Sequence, residues 1–263
     1  MRKEMLKVFE ELERKRRLLK INGKLGFDWP RPQLYNKCSG VIPSKVYTIW
    51  AFSNVWKSKF AYAHAAYYLK AWKSVLFINL EVVADECLRW IIQAMYWLDY
   101  KEYMNWNCEL EPYDNLMIRD DLYKLDDIVN CIENESADIV FIDFVQNIQV
   151  WRWSLYEQSA EIAKKIQQTA IKTKKVIYSL SQVSNATAKE INYDLNDITP
   201  LKWWWEYYAS SDVIFILSKE KDKSEMKIRI EKNKFWPRWE DILFNADLSR
   251  NQFTFLKDTW DDV

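Results

Sequence analysis

The chain has 263 residues, 49% of them hydrophobic, and its 38 basic and 38 acidic side chains cancel. That length carries one sizeable domain with or without appendages, zero net charge gives no global basic field for nucleic acid, and no apolar run reaches the ~18 residues of a membrane span. Four cysteines (Cys38, Cys87, Cys108, Cys131) without C-x-x-C spacing read as reduced thiols, neither a disulfide framework nor a zinc site, and the charged N-terminus lacks a signal-peptide core, so a cytoplasmic protein is expected.

Residues 1–20 are predicted to form a basic amphipathic helix with Met5, Phe9 and Leu12 on one stripe. It either packs on its own domain or docks on a neighbouring subunit. Residues 21–45, with Gly23, Gly26, Pro30, Pro32 and Pro43, read as a linker loop, and residues 46–263 as one α/β domain. Within it, strands are expected at 46–49, 74–80, 114–118, 138–145 and 175–180, alternating with helices at 58–70, 85–96, 122–133 and 155–173. Further strands at 212–218, 226–231, 242–245 and 252–255 close the chain. Alternation predicts a mostly parallel sheet covered on both faces, and the late run of strands an antiparallel extension. The lone His64 falls on a helix face and reads as a structural histidine.

One imbalance runs through the chain: 3 glycines against 15 tryptophans. Average usage of roughly 7% predicts about 18 glycines. Tryptophan also falls where turn chemistry calls for glycine: Trp72 after a helix, Trp151 and Trp153 in a polar loop, Trp203 to Trp205, and Trp236 and Trp239 around Pro237. A gene whose UGA codons mean glycine, translated with a code in which they mean tryptophan, gives this pattern. A protein truly rich in tryptophan is the rival.

The imbalance matters most at A-F-S-N-V-W-K-S (51–58), between a strand and a helix. It has the frame of a phosphate-binding loop, G-x-x-x-x-G-K-[ST], with Trp56 where the second glycine belongs. Ala51, Ser53, Asn54, Val55 and Trp56 would form the cradle. Lys57 would pair with the β- and γ-phosphates of ATP, and Ser58 would ligate Mg²⁺. An indole at 56 would block the approach. Asp143 ends an apolar strand, where a carboxylate can hold Mg²⁺. Glu81 and Gln182 also end strands. Glu81 could activate a water beside the γ-phosphate, and Gln182 could sense that phosphate. The bland alternatives are a solvated glutamate and an ordinary loop glutamine.

Taken in order, S-N-V-W-K-S, F-I-N-L-E, I-V-F-I-D-F-V-Q, S-L-S-Q-V and K-N-K-F-W-P-R-W resemble the C-terminal motor domain of DnaB-type replicative helicases, within the RecA-like ATPases. The resemblance covers roughly residues 35–250. It implies a RecA-like fold, Mg-ATP hydrolysis at subunit interfaces, a hexameric ring, single-stranded DNA as partner, and a primase or loader as a further one. It makes Glu81 the catalytic base and carries the metal aspartate to Asp143 and the coupling glutamine to Gln182. It puts Lys232 and Lys234 at the neighbouring subunit's ATP. Lys234 stands where an arginine is usual and lacks its bidentate fork, and Arg238 is a possible substitute. DNA contact falls to two loops, 146–156 with Arg152, and 184–202 with Lys189 and Lys202. The family's N-terminal helical domain has no counterpart beyond the helix at 1–20. Two other functions stay open: a recombination, repair or loader ATPase that does not unwind, and a non-catalytic oligomeric scaffold if Trp56 is real.

Overall fold

Runs rich in Val, Ile and Phe form the middle of a single nine-stranded sheet. In the computed structural model, the residues described are 2–22, 26–30, 40–52, 55–106, 113–152, 154–183, 205–219, 224–235 and 241–258. Strands β1 (Val46–Phe52), β2 (Val75–Asn79) and β4 (Ile139–Asp143) are buried at every residue, as strands covered on both faces must be. With β3 (Leu116–Arg119), β5 (Val176–Val183), β6 (Val213–Lys219), β7 (Glu225–Asn233), β8 (Asp241–Asp247) and β9 (Gln252–Asp258), the order is β3-β2-β4-β5-β1-β6-β7-β8-β9. The first six of these are parallel to their neighbours, and β7, β8 and β9 are joined antiparallel.

Parallel neighbours need long crossovers, and helices supply them: α2 (Lys57–Lys70), α3 (Ala84–Tyr96), α5 (Leu125–Asn134) and α6 (Leu155–Thr173). Short helices α4 (Tyr100–Met104) and α7 (Trp205–Ser210) fill two connections. The core is aromatic across three strands. Phe77, Phe141 and Tyr178 are register partners on β2, β4 and β5. Their rings stack at 5.2 Å and 4.8 Å. Tyr68 of α2 reaches the same column, its hydroxyl 2.7 Å from that of Tyr178.

Most expected elements form within a few residues of their predicted ends. β1 runs three residues further than expected, through Trp50, Ala51 and Phe52, because β5 pairs with all three and β6 with Trp50 and Ala51. β4 stops at Asp143, short of the expected 145, and a single 3₁₀ turn follows at Val145–Asn147. Helix α4 was not expected. It is held by a capping box between Asp99 and Glu102, which satisfies both of its first free amides. The N-terminal helix α1 (Arg2–Asn22) leaves Met5, Phe9 and Leu12 exposed, so its stripe does not pack on its own domain. His64 is buried on α2, its Nδ1 2.9 Å from the Phe60 carbonyl. No helix among the described residues is long and apolar enough to cross a membrane.

Candidate nucleotide site

The carboxyl ends of β1, β2, β4 and β5 lie side by side, and the chain leaves β1 there to enter α2. Crevices at such strand ends are where open α/β sheets bind ligands. Lys57, the first residue of α2, is buried and reaches across to Asp143 at the end of β4, Nζ to Oδ1 2.8 Å. Its ammonium also lies 4.5 Å from the centre of the Phe144 ring. Asp143 is wholly buried, and its Oδ2 accepts no hydrogen bond from the described residues. A buried carboxylate oxygen left open at a strand end is a hard donor of the kind that would suit Mg²⁺. Ser58 is the next residue of α2.

Glu81 is brought to the same place by Asn79. The Asn79 side chain is buried, donates to the Tyr62 hydroxyl (3.1 Å), and accepts the amides of Glu81 and Val82 (3.1 Å each). This local turn lifts the chain off β2 and fixes where Glu81 leaves the sheet. The Glu81 carboxyl is pushed above its ordinary range, first by partial desolvation and then by the charge of Asp143. Lys57 and a hydrogen bond with Ser58 act the other way. A carboxylate with a raised pKa beside a second, buried carboxylate has the character of a proton acceptor.

Gln182 lies at the end of β5, paired in register with Ala51. Its main chain is clamped by Gln146: the Gln146 amide donates to Ser181 Oγ (2.7 Å) and the Gln182 carbonyl (3.0 Å), and its Oε1 accepts the Gln182 N–H (3.3 Å). Asn147 donates to the Leu80 carbonyl at 2.8 Å. The turn after Asp143 therefore ties β2, β4 and β5 together below Glu81 and Gln182. The sequence assigned Asn79 no role and gave Gln146 only a place at the start of the DNA-contact loop 146–156. Each is a polar residue that follows an apolar run.

The loop expected to cradle phosphates, 51–58, is described in part. Ala51 is buried inside β1, between Gln182 and Leu217. Val55 is packed in the core, and Ser53 and Asn54 lie outside the described residues. Trp56 occupies the position before α2 with φ 52° and ψ 24°, the left-handed region. Lys219 lies 4.9 Å over its indole.

Lys232 and Lys234 belong to the other end of the sheet. Asn233 pairs with Val213, which pairs with Tyr47 at the start of β1. A strand rises ~3.3 Å per residue, so the phosphate loop is about 20 Å away along β1. Lys232 is buried against Tyr208, donating to its carbonyl. Lys234 pairs with the buried Asp212 at 3.3 Å, and Asp212 also takes Lys45 (3.4 Å) and the Val46 amide (3.1 Å). Arg152 pairs with Glu161 of α6 at 2.6 Å on the rim of an open cavity of about 780 Å³. Lys124 shares that rim with Asp126 and Asp127, so its charge is mixed. Lys189, Lys202 and Arg238 lie outside the described residues.

No protein-family model matches the chain, and no curated protein does. Solved structures do. The chain superposes on the ATPase domain of G40P with a TM-score of 0.78 at 17% identity, covering 97% of this chain and 98% of that one. A DnaB-like replicative helicase, described with its interactions with primase, gives a TM-score of 0.76 at 17% identity, covering 98% of this chain and 67% of that one. The RadB recombinase gives 0.55 at 14% identity over 83% of this chain and 94% of its own. The chain therefore has the RecA-like fold of DnaB-like helicase ATPase domains, as its motifs led us to expect.

Proposed function

We propose that this chain is the motor domain of a ring-forming helicase that hydrolyses Mg-ATP between subunits while holding single-stranded DNA. The buried Lys57–Asp143 pair, flanked by Glu81 and leaving Asp143 Oδ2 open, is the observation that carries the reading. Lys57 is held at the helix start where a phosphate would be met by free amides and the helix dipole. Lys57 would pair with the phosphates, and Asp143 with Ser58 would hold a Mg²⁺ ion, which when bound would supply charge neutralisation for phosphoryl transfer. Glu81 takes the proton of the attacking water. Gln182, whose main chain Gln146 locks to the turn after Asp143, reports the loss of the γ-phosphate to the loop that follows β5. Lys234, too far to reach its own site, serves the ATP of the next subunit, so hydrolysis requires a ring or filament, while Lys232, buried on the Tyr208 carbonyl, braces the strand that carries it. Arg152, Lys189 and Lys202 face the DNA strand, and a primase or loader completes the assembly.

The test is ATP hydrolysis by the Trp56→Gly protein with and without single-stranded DNA. Turnover that rises with DNA and vanishes in Trp56→Gly/Lys57→Ala supports the motor. Absence of any turnover across a range of protein concentrations refutes it. Unwinding of a forked duplex then separates a helicase from a recombination or loader ATPase, which would hydrolyse ATP without separating strands.

A second reading has one observation behind it. The Trp56 indole stands where the loop must approach the phosphates, partly buried against the core. With that indole in place the fold is a scaffold that assembles without nucleotide, and ATP binding to the Trp56 protein decides against it.

A further inference from the structure

We infer that glycine, not tryptophan, is the native residue at positions 56, 72 and 97, so that the protein made by its host has an open phosphate loop. At 72 and 97 the inference is independent of the ATPase reading. At 56 it concerns the loop on which that reading rests.

The backbone carries the argument. Six non-glycine residues among those described have positive φ: Ser44, Trp56, Trp72, Trp97, Lys174 and Asn251. Three of the six are tryptophan, a residue that makes up 15 of 263. For a bulky L residue the left-handed region is a true outlier. Its steric cost corresponds to roughly a five- to thirtyfold penalty in the folding equilibrium, which glycine escapes.

Each of the three positions is one where the chain uses the left-handed turn for a purpose. Helix α2 ends in a complete Schellman motif: Lys73 N–H donates to the Tyr68 carbonyl (2.9 Å) and Trp72 N–H to the Leu69 carbonyl (3.0 Å). Trp72 is the residue at the left-handed corner, with φ 57°. Helix α3 ends in a related left-handed cap: Trp97 has φ 63°, and the N–H groups of Trp97 and Leu98 both donate to the Gln93 carbonyl, the latter at 3.0 Å. Glycine is the usual residue at that corner. Trp56 makes the corresponding turn ahead of α2, where the loop must bring its amides to a phosphate.

The side chains agree with the backbone. Trp72 is 90% exposed and Trp97 63% exposed, so their indoles add nothing to the core. Trp29 is the contrast. It is 2% exposed, its φ is not positive, and its ring meets Tyr47 and Phe215 edge-on at 5.3 Å and 5.4 Å. That site uses the ring for packing, while its Nε1 has no hydrogen-bond partner among the described residues. One change of codon meaning explains the division. UGA read as glycine in the host and as tryptophan in translation gives Trp at 56, 72 and 97, while other glycine codons give Gly23, Gly26 and Gly40.

The test reads the coding DNA at 29, 56, 72 and 97 and sequences the matching peptides of the host's protein by mass spectrometry. The expected result is UGA at 56, 72 and 97, UGG at 29, and glycine in the three peptides. UGG at 56, 72 and 97, or tryptophan in those peptides, overturns the inference. In recombinant protein, Trp72→Gly and Trp97→Gly should each raise the folding equilibrium constant roughly fivefold or more in denaturant titrations. A fall in both would overturn it as well. If the codons are UGA and the Trp56→Gly protein still binds no ATP, the ATPase reading falls and the glycine assignment stands.

Discussion

Lys57 and Asp143 hold opposite charges in a place with almost no water, and each is costly there without the other. Asp143→Ala therefore removes about 3–5 kcal/mol of folding stability, because it strands a buried ammonium; denaturant unfolding measures this. Replacing both at once with Lys57→Met/Asp143→Leu costs much less, and a double-mutant cycle shows the difference. Glu81 behaves in the opposite sense. Its folded pKa is above the ordinary value, so the protonated form is the one the fold favours, and stability falls as pH rises through the folded pKa. Glu81→Gln should thus be at least as stable as the parent at neutral pH. The gap should close below the ordinary carboxylate range, while ATP turnover is lost. A pH series of unfolding midpoints checks both signs. Lys57 was readable from the loop frame at 51–58, and Asp143 and Glu81 because each ends or follows an apolar strand in a chain that carries that frame. Asn79 and Gln146 were not, because their work is done on main-chain groups. Gln146 acts on a carbonyl 36 residues away, and only strand pairing brings the two together.

At the scale of elements, the helix starts and stops were mostly legible. α6 opens with Ser154 and Glu157 in a reciprocal cap, a pattern plain in S-L-Y-E. Ser154→Ala should lower stability by about 1 kcal/mol without altering nucleotide binding, as paired unfolding and binding measurements would show. The ends of strands were less legible. β1 runs through Phe52 because two parallel neighbours continue beside it, and the sequence of β1 alone holds no trace of that. The role of Lys234 was hidden for the same reason. Its partner Asp212 precedes β6, and the two meet through the β6–β7 pairing. Asp212 holds Lys234 against its own subunit, so in the proposed ring a neighbour's phosphate would have to compete for it. Asp212→Asn keeps an acceptor for the Val46 amide and weakens the hold on Lys234. The expected result is a change in kcat for oligomeric ATP hydrolysis with single-chain ATP affinity unchanged.

For the whole molecule, alternation of strands and helices was enough to foresee a parallel sheet with an antiparallel flank. The strand order was not, since apolar runs of similar composition do not say which lies next to which. Helix α1 shows what the sequence left open. Its stripe of Met5, Phe9 and Leu12 is exposed, so it adds little to the fold of its own subunit. Removing residues 1–22 should leave the unfolding midpoint unchanged and abolish self-association, as sedimentation at several concentrations would reveal. A fall in the midpoint would mean that the helix packs on its own domain after all.

The place of β1 in the sheet has a consequence for how the protein is born. Thr48 of β1 bonds to Ser179 of β5, 131 residues later in the chain, and β6 on its other side comes later still. At ribosomal speeds of ~5–20 residues per second, β1 waits on the order of ten seconds for its neighbours. During that time an apolar strand is unpaired on both edges, open to pairing with other chains until β5 and β6 arrive to cover it.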